Sequence, residues 1–344
     1  MRAAIWIQCG ILMFLGPAVA ATTLKVPGAY ATIQAAVDRA GNGDTILVAP
    51  GTYTEPQVLF DTKGNVHLVS SGGRAATTLS GDLALVNSSK IVVRGFTING
   101  QVRILCNTLT VVADCDIAGS GGSGIIIAGC PGGAYSDVKI EGNRVRGHSG
   151  HGVEAELSGG KARIAGNEIR DNGASGVSIT HSYSEVAGNA IHDNAGHGIE
   201  IVEGTSSMRG NTIAGNAGAG IHVASGGKPY TQTIAGDIVA VNGTAGLFGD
   251  AGGIYNVSCC DVWNNGPAGG FNYAGAIADR TGVDGNISAD PLFCDLAADK
   301  LSLLEGSLAL VQSCGSMGAY DEPGCAQPDA ARRATWGEIK GRYR

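Results

Sequence analysis

The sequence predicts an all-β solenoid: a single-stranded parallel β-helix with a short capping helix at its start. The first observation is a phrase that occurs four times between residues 142 and 221, as GNRVRGHSGHGV, GNEIRDNGASGV, GNAIHDNAGHGI and GNTIAGNAGAGI. Its periods are 24, 22 and 22 residues, and a fixed period of this size marks stacked units. The second is that three places per unit are aliphatic. Counting from the first glycine as zero, place minus two runs from Val93 to Val257, place three from Ile98 to Val262, and place eleven from Ile125 to Leu247. Three apolar columns separated by polar turns describe a three-sided coil with one strand per side. No unit holds a ten-residue stretch at helical spacing, which disfavours a helical solenoid.

Taken in order, residues 1–20 carry Arg2, the apolar run from Ile11 to Leu15 and the ending Ala18-Val19-Ala20. This reads as an export signal with a cleavage site, too short to span a bilayer. Residues 21–326 form the β-helix domain. Its opening places Ile33, Ala36, Val37 and Ala40 at helical spacing, with Gly41 as the expected left-handed terminator, and then the strand of residues 45–48. A helix followed at once by a first strand covers an end that would otherwise offer unpaired backbone groups. In the repeats, Asn143, Asn167, Asn189 and Asn211 follow place zero, and a second asparagine series begins at Asn172 at place six. Both are expected to be corner residues: left-handed backbone and an amide bonding neighbours above and below. The Gly-rich excursion after Cys130 is a candidate groove wall. Residues 327–344 form a basic tail with a capping-box pattern at Thr335-Trp336-Gly337-Glu338.

The full chain carries 30 acidic and 23 basic residues, a net charge of −7, and 56 glycines with only 5% aromatic residues. A mildly acidic chain argues against nucleic acid as a partner, and short strands with tight turns suit such a composition. No apolar run outside the leader approaches membrane length, so membrane insertion is not expected. Of nine cysteines, Cys9 falls in the leader, and the other eight cluster at the two ends of the repeats. In an exported chain they read as disulfide staples for those ends.

The stretch VPGAYATIQAAVDRAGNGDTILVAPGTYTE, together with NISADPLFCD, SLLEGSLAL and MGAY near the end, resembles the right-handed parallel β-helix (pectate-lyase-like) superfamily in its exported bacterial members. The resemblance covers nearly all of the chain up to about residue 320. It implies a right-handed helix and leaves the activity open among lyases, epimerases, glycosidases and proteins without chemistry.

Stacked coils bring equal places to neighbouring rungs about 4.8 Å apart, so outward columns can be named. Place nine reads Ser123, His151, Ser175, His197, Ala219 and Ala245; place twelve reads Ile126, Glu154, Ser178, Glu200, His222 and Phe248. Glu200 and His222 are thus expected as rung neighbours, with His197 on the coil of Glu200. A carboxylate beside imidazoles can exchange protons near neutral pH. His197, Glu200 and His222 are therefore the candidate catalytic residues, with His151 and Glu154 as substrate-binding neighbours on the same columns. A second candidate column, Arg146, Arg170 and His192, would bind an acidic sugar chain, since lyases of this superfamily commonly use a basic residue and often calcium. Surface pairing of Arg144 and Arg146 with Glu168 competes with that reading. Asp171 and Asp193 fall short of a hard-cation site, so no metal is assigned. The G-x-G strings lack a surrounding βαβ unit, and His148 with His151 belongs to the repeat turn.

The leading expectation is a secreted or cell-surface protein, acting as a monomer, that recognises an extracellular or cell-wall polysaccharide; cleavage is left open, and if it occurs it is of the polysaccharide lyase or glycoside hydrolase type. The alternative is a non-catalytic adhesion protein or structural spacer, and a third is attachment through the basic tail.

Overall fold

The computed structural model describes residues 20–130 and 137–325. The leader, the basic tail and residues 131–136 of the Gly-rich excursion lie outside them. The chain winds as a parallel β-helix whose first face is a sheet of eleven strands, from Thr23–Val26 and Thr45–Val48 to Ile254–Ser258. That is somewhat longer than the eight to ten coils the periodicity suggests. The other two faces start as the continuous strands Gly51–Asp61 and Thr77–Val86 and then separate. The second face runs from Thr97–Asn99 to Asp261–Trp263, and the third from Val102–Leu105 to Tyr273–Gly275. Between coils the pairing is parallel and in register: Val145 lies beside Ile169, Ile169 beside Ile191, and Glu200 beside His222.

The three aliphatic columns point inward. Ile140, Ile164 and Val186 on the first face, Val145, Ile169 and Ile191 on the second, and Val153, Val177 and Ile199 on the third are all fully buried. Helix α1, Ile33–Arg39, closes the N-terminal end and buries Ile33, Ala36 and Val37. Its first turn is satisfied twice: Thr32 accepts from the Ala35 N–H, and the Glu55 carboxylate accepts from the Ile33 and Gln34 amides at 2.7 and 2.9 Å. An anion at this end also complements the helix dipole. The helix ends differently from the expectation. Ala40 leaves it in extended geometry, and the positive φ of 93° belongs to Gly43, because the Asp44 carboxylate already binds the Gly41 amide.

The asparagines stack as expected but do not themselves turn the corner. The left-handed residues are those just before them: Gly142, Gly166, Gly188 and Gly210 with φ of 62–67°, and Asp171 and Asp193 ahead of the second ladder. This leaves each amide free to point inward. The Asn167 Oδ1 accepts from both the backbone N–H and Nδ2 of Asn143, while its own Nδ2 donates to the Ile140 carbonyl. The same pattern repeats at Asn189 and Asn211. The second ladder begins at His148, whose N–H donates to the Asn172 Oδ1, and continues through Asn194, Asn216, Asn242 and Asn265.

Six of the eight cysteines form staples: Cys106 with Cys130, Cys259 with Cys314, and Cys294 with Cys325. Cys115 and Cys260 do not; they are free and buried, and both occupy place one, their N–H groups donating to the Oδ1 of Asn143 and Asn286 on the next coil. The C-terminal module, a three-stranded sheet of Phe293–Asp295, Lys300–Leu304 and Pro323–Cys325, folds back onto the second face. There Leu303, Ala309 and Met317 pack on Ile238 and Ala240, and Leu301 packs on Ala190 and Ala214.

One ladder position is filled by an ionisable group. Asp237 is fully buried and its Oδ1 accepts from the Asn211 N–H and Nδ2, but its Oδ2 has no hydrogen-bond partner. On the asparagine rungs the equivalent atom is an amide nitrogen donating to a main-chain carbonyl one coil back. Burial accordingly pushes the Asp237 carboxyl up to about 7 from its ordinary 3.8. A raised folded-state pKa means that the cost is absent below the unfolded value, grows as pH rises, and is complete above about 7. Asp237→Asn should therefore stabilise the protein by about 1–3 kcal/mol near pH ~8 and by little near pH ~4. Thermal melts of both proteins across that range check this.

Candidate functional site

The third face between Val153–Glu156 and Leu247–Gly249 is the part of the surface where the predicted residues converge. Strand alternation buries Val177, Ile199 and Ile221 and turns the residue after each one outward. Register then sets Glu154, Ser178, Glu200, His222 and Phe248 on successive rungs. The turn entering each strand adds the place-nine residue three positions earlier.

These side chains form an ordered relay. The Ser175 hydroxyl donates to the Glu200 Oε2 at 3.1 Å and accepts from the His197 N–H at 3.3 Å. The His197 Nδ1 accepts from the Ala219 N–H at 2.9 Å, which leaves the proton of the neutral ring on Nε2. The His197 ring stacks on His222 with centroids 4.4 Å apart and planes 9° from parallel, and His222 stacks on Phe248 at 5.1 Å. Burial holds the His197 pKa below its ordinary 6.5; the His222 ring pushes it the same way, and Glu200 opposes both. The His222 Nδ1 is buried without a hydrogen-bond partner. The relay offers a fixed N–H donor and a fixed carboxylate acceptor side by side, next to the half-buried His222 ring.

Ligand atoms of His197, Glu200 and His222 lie within 4.8 Å of one another, a spacing that would suit a cation. The donor set does not suit one, because His197 has Nδ1 occupied by a backbone N–H and Nε2 protonated, and so has no lone pair to give. The arrangement suits proton exchange and hydrogen bonding instead.

A depression of about 400 Å³ adjoins the relay, lined by His197, His222, Thr244, Phe248 and Phe271 among others. The segment containing the short helix Pro267–Gly269 ends at Phe271, which is 50% exposed and forms its wall. One end of the face is therefore walled.

The same relay occurs a second time. The Ser123 hydroxyl donates to the Glu154 Oε2 at 2.7 Å and accepts from the His151 N–H at 3.2 Å, and the His151 Nδ1 accepts from the Ser175 N–H at 3.2 Å. Sequence reasoning missed the roles of Ser123 and Ser175. The signal was the Ser–His–Ser–His alternation down place nine, and its meaning depends on hydroxyl geometry that spacing does not give.

The column Arg146, Arg170 and His192 lies elsewhere, on the second face. Arg146 binds Asp116 through two contacts of 3.2 Å. Arg170 binds Glu168 at 2.9 Å and is close to Asp171 and Asp299. His192 is 2% exposed, bonded to Asp193 at 2.7 Å and flanked by Ala190 and Ala214, on which Leu301 packs. It is therefore sealed, not presented. His148 is likewise a ladder residue: its Nδ1 accepts from the Ser120 N–H, its Nε2 contacts the Ile117 carbonyl, and burial lowers its pKa.

The electrostatics give a direct check. His222→Phe keeps the stack but removes a neighbouring charge, so the His197 titration midpoint should rise. Glu200→Gln removes the one opposing charge, so it should fall further. Histidine proton NMR titrations of the two variants measure both shifts; equal midpoints in wild type and variants would refute the coupling.

The family model for the right-handed β-helix region matches residues 82–234 and 132–286. No curated protein matches the chain. Among solved structures, pectate lyase Pel9A is similar at 13% identity and TM-score 0.68, covering 88% of this chain and 97% of its own. The periplasmic alginate epimerase AlgG matches at 16% identity and TM-score 0.41, covering 62% of each chain. The A-module of the Azotobacter vinelandii mannuronan C-5 epimerase AlgE6 matches at 15% identity and TM-score 0.37, covering 75% of this chain and 94% of its own. The span of the family match, the parallel three-faced coil and the Pel9A superposition place this chain in the right-handed β-helix family.

Proposed function

We propose that this protein is exported, with residues 1–20 removed as a signal, and that it binds and cleaves an extracellular or cell-wall polysaccharide along its third face. The observation that carries this reading is the relay of Ser175, His197 and Glu200 beside the ring stack of His197, His222 and Phe248. It aligns a donor, an acceptor and an apolar platform on one exposed strand face. An extended sugar chain needs those three elements, because a sugar ring has hydroxyls at its rim and apolar C–H faces. In the proposed chemistry Glu200 takes a proton from a water whose oxygen bonds the anomeric carbon, the glycosidic C–O bond breaks, protonated His222 gives its proton to the departing oxygen, and His197 donates a hydrogen bond through Nε2–H to a sugar oxygen. The polysaccharide-directed names of the similar structures, foremost pectate lyase Pel9A, agree with this class of partner. The three disulfides agree with an oxidising compartment, and among the described residues no helix is long and apolar enough to cross a membrane.

Incubation with a panel of neutral and acidic polysaccharides, followed by chromatography of released oligosaccharides and absorbance of unsaturated ends, tests the reading. Glu200→Gln and His222→Ala should each lower cleavage by roughly 10²-fold or more while leaving the melting temperature nearly unchanged. Cleavage that survives both substitutions would remove the assigned roles. An absence of binding and cleavage across the panel would favour the rigid spacer instead.

A further inference from the structure

The doubled relay has a consequence beyond a single reactive centre. Glu154 pairs in register with Ser178, and Ser178 with Glu200, so the two carboxylates stand two rungs, about 10 Å, apart. That is the length of an extended disaccharide unit. Each carboxylate is oriented by a serine on the preceding coil, and each relay histidine is held in the same tautomer by a backbone N–H. The copies differ in the rung that follows: after the Glu200 copy it carries Ala219 and His222, the latter stacked on His197, and after the Glu154 copy it carries Ser175 and Ser178. One copy has a proton-transfer partner and the other has the binding groups alone.

The charge around both copies is one-sided. The stretches 147–156, 171–180, 193–202 and 215–224, which form this face and the turns entering it, hold Glu154, Glu156, Asp171, Asp193 and Glu200 and no lysine or arginine. Arg146 and Arg170 are on the second face and already ion-paired, Arg170 with Asp171 as well as Glu168, and the third face carries Arg103 on the same outward column, two rungs before Glu154. A polyuronate laid from Glu154 to His222 would bring its carboxylates against Glu154 and Glu200 with no cation on the rungs between to offset them. Carboxylates hydrogen-bonded by serine and flanked by imidazole N–H groups are suited to pairs of sugar hydroxyls.

We propose that the third face binds a neutral glycan lying along the solenoid axis, through two equivalent hydroxyl-binding subsites built on His151–Glu154 and His197–Glu200, one disaccharide apart. This rests on the polysaccharide reading above and names its substrate class. The Glu154 subsite holds the chain while the Glu200 subsite, next to His222, acts on it.

Isothermal titration calorimetry with neutral gluco-, xylo- and manno-hexasaccharides, a cationic glucosamine hexamer, and galacturonate and mannuronate hexamers tests this. The proteins are wild type, Glu154→Gln and Glu200→Gln, with melting curves confirming that each folds. A neutral hexasaccharide should bind, the uronates should not, and each substitution should weaken binding by roughly tenfold. Tightest binding of a uronate or of the cationic hexamer would overturn the neutral-glycan assignment while leaving polysaccharide recognition standing. Weakening by only one of the two substitutions would overturn the paired subsites. Binding of no glycan at all would overturn the functional reading and this inference with it.

Discussion

The structure depends on two internal columns of hydrogen bonds between asparagine side chains and the backbone of adjacent coils. A corner in a three-sided coil leaves amide and carbonyl groups without ladder partners, and burying them unpaired would cost about 1–3 kcal/mol each. Asn167 shows how that demand is met: its Oδ1 accepts two N–H bonds from Asn143 on the preceding coil, and its Nδ2 donates to the Ile140 carbonyl of that same coil and to the Asn189 Oδ1 on the next. Because the same atoms repeat at every rung, the amides also fix the stacking register, and a register slip would misplace every side chain on the faces. The positive-φ glycine before each asparagine of the first ladder is the backbone condition for it.

That register gives the three faces different roles. The first is an uninterrupted sheet whose exposed residues pair ionically, as Arg163 does with Glu141 and Glu185. The second is covered along its later coils by the C-terminal module, anchored by the Cys259–Cys314 bridge and by hydrogen bonds from Ala319 to Thr212 and from Gly318 to Gly236. The third keeps its outward column open on the coils that carry the two relays, with Phe271 standing at one end. Regularity provides the platform, and departures from it (a histidine for a serine, a phenylalanine for a small residue) build the ring stack of His197, His222 and Phe248.

Much of this was legible in the sequence. Aliphatic columns at fixed places could be read directly, since burial restricts residue type, and the rung pairing of Glu200 with His222 followed from the period alone. What escaped depended on contacts distant in sequence. Nothing local announces that Leu301 will pack onto Ala190 and Ala214 near His192, so His192 read as an exposed ligand. For Arg146 and Arg170 the sequence left acid-sugar binding and surface pairing with Glu168 as competing readings, and only the structure adds Asp116 and Asp299 as partners. Cys115 and Cys260 read as staples because cysteine at an asparagine position gives no sign of being a small buried substitute. The left-handed role went to asparagine because both residues favour corners, and only the backbone angles separate glycine from its neighbour.

A crystal structure with a bound neutral hexasaccharide tests most directly whether ladder-fixed register makes the third face a linear glycan-binding strip. Sugar density is expected along the solenoid axis, with hydroxyls on Glu154 and Glu200 and a ring against the His222–Phe248 stack. Density running across the strands, or lodged on the charged first face or the arginine column of the second, would contradict it.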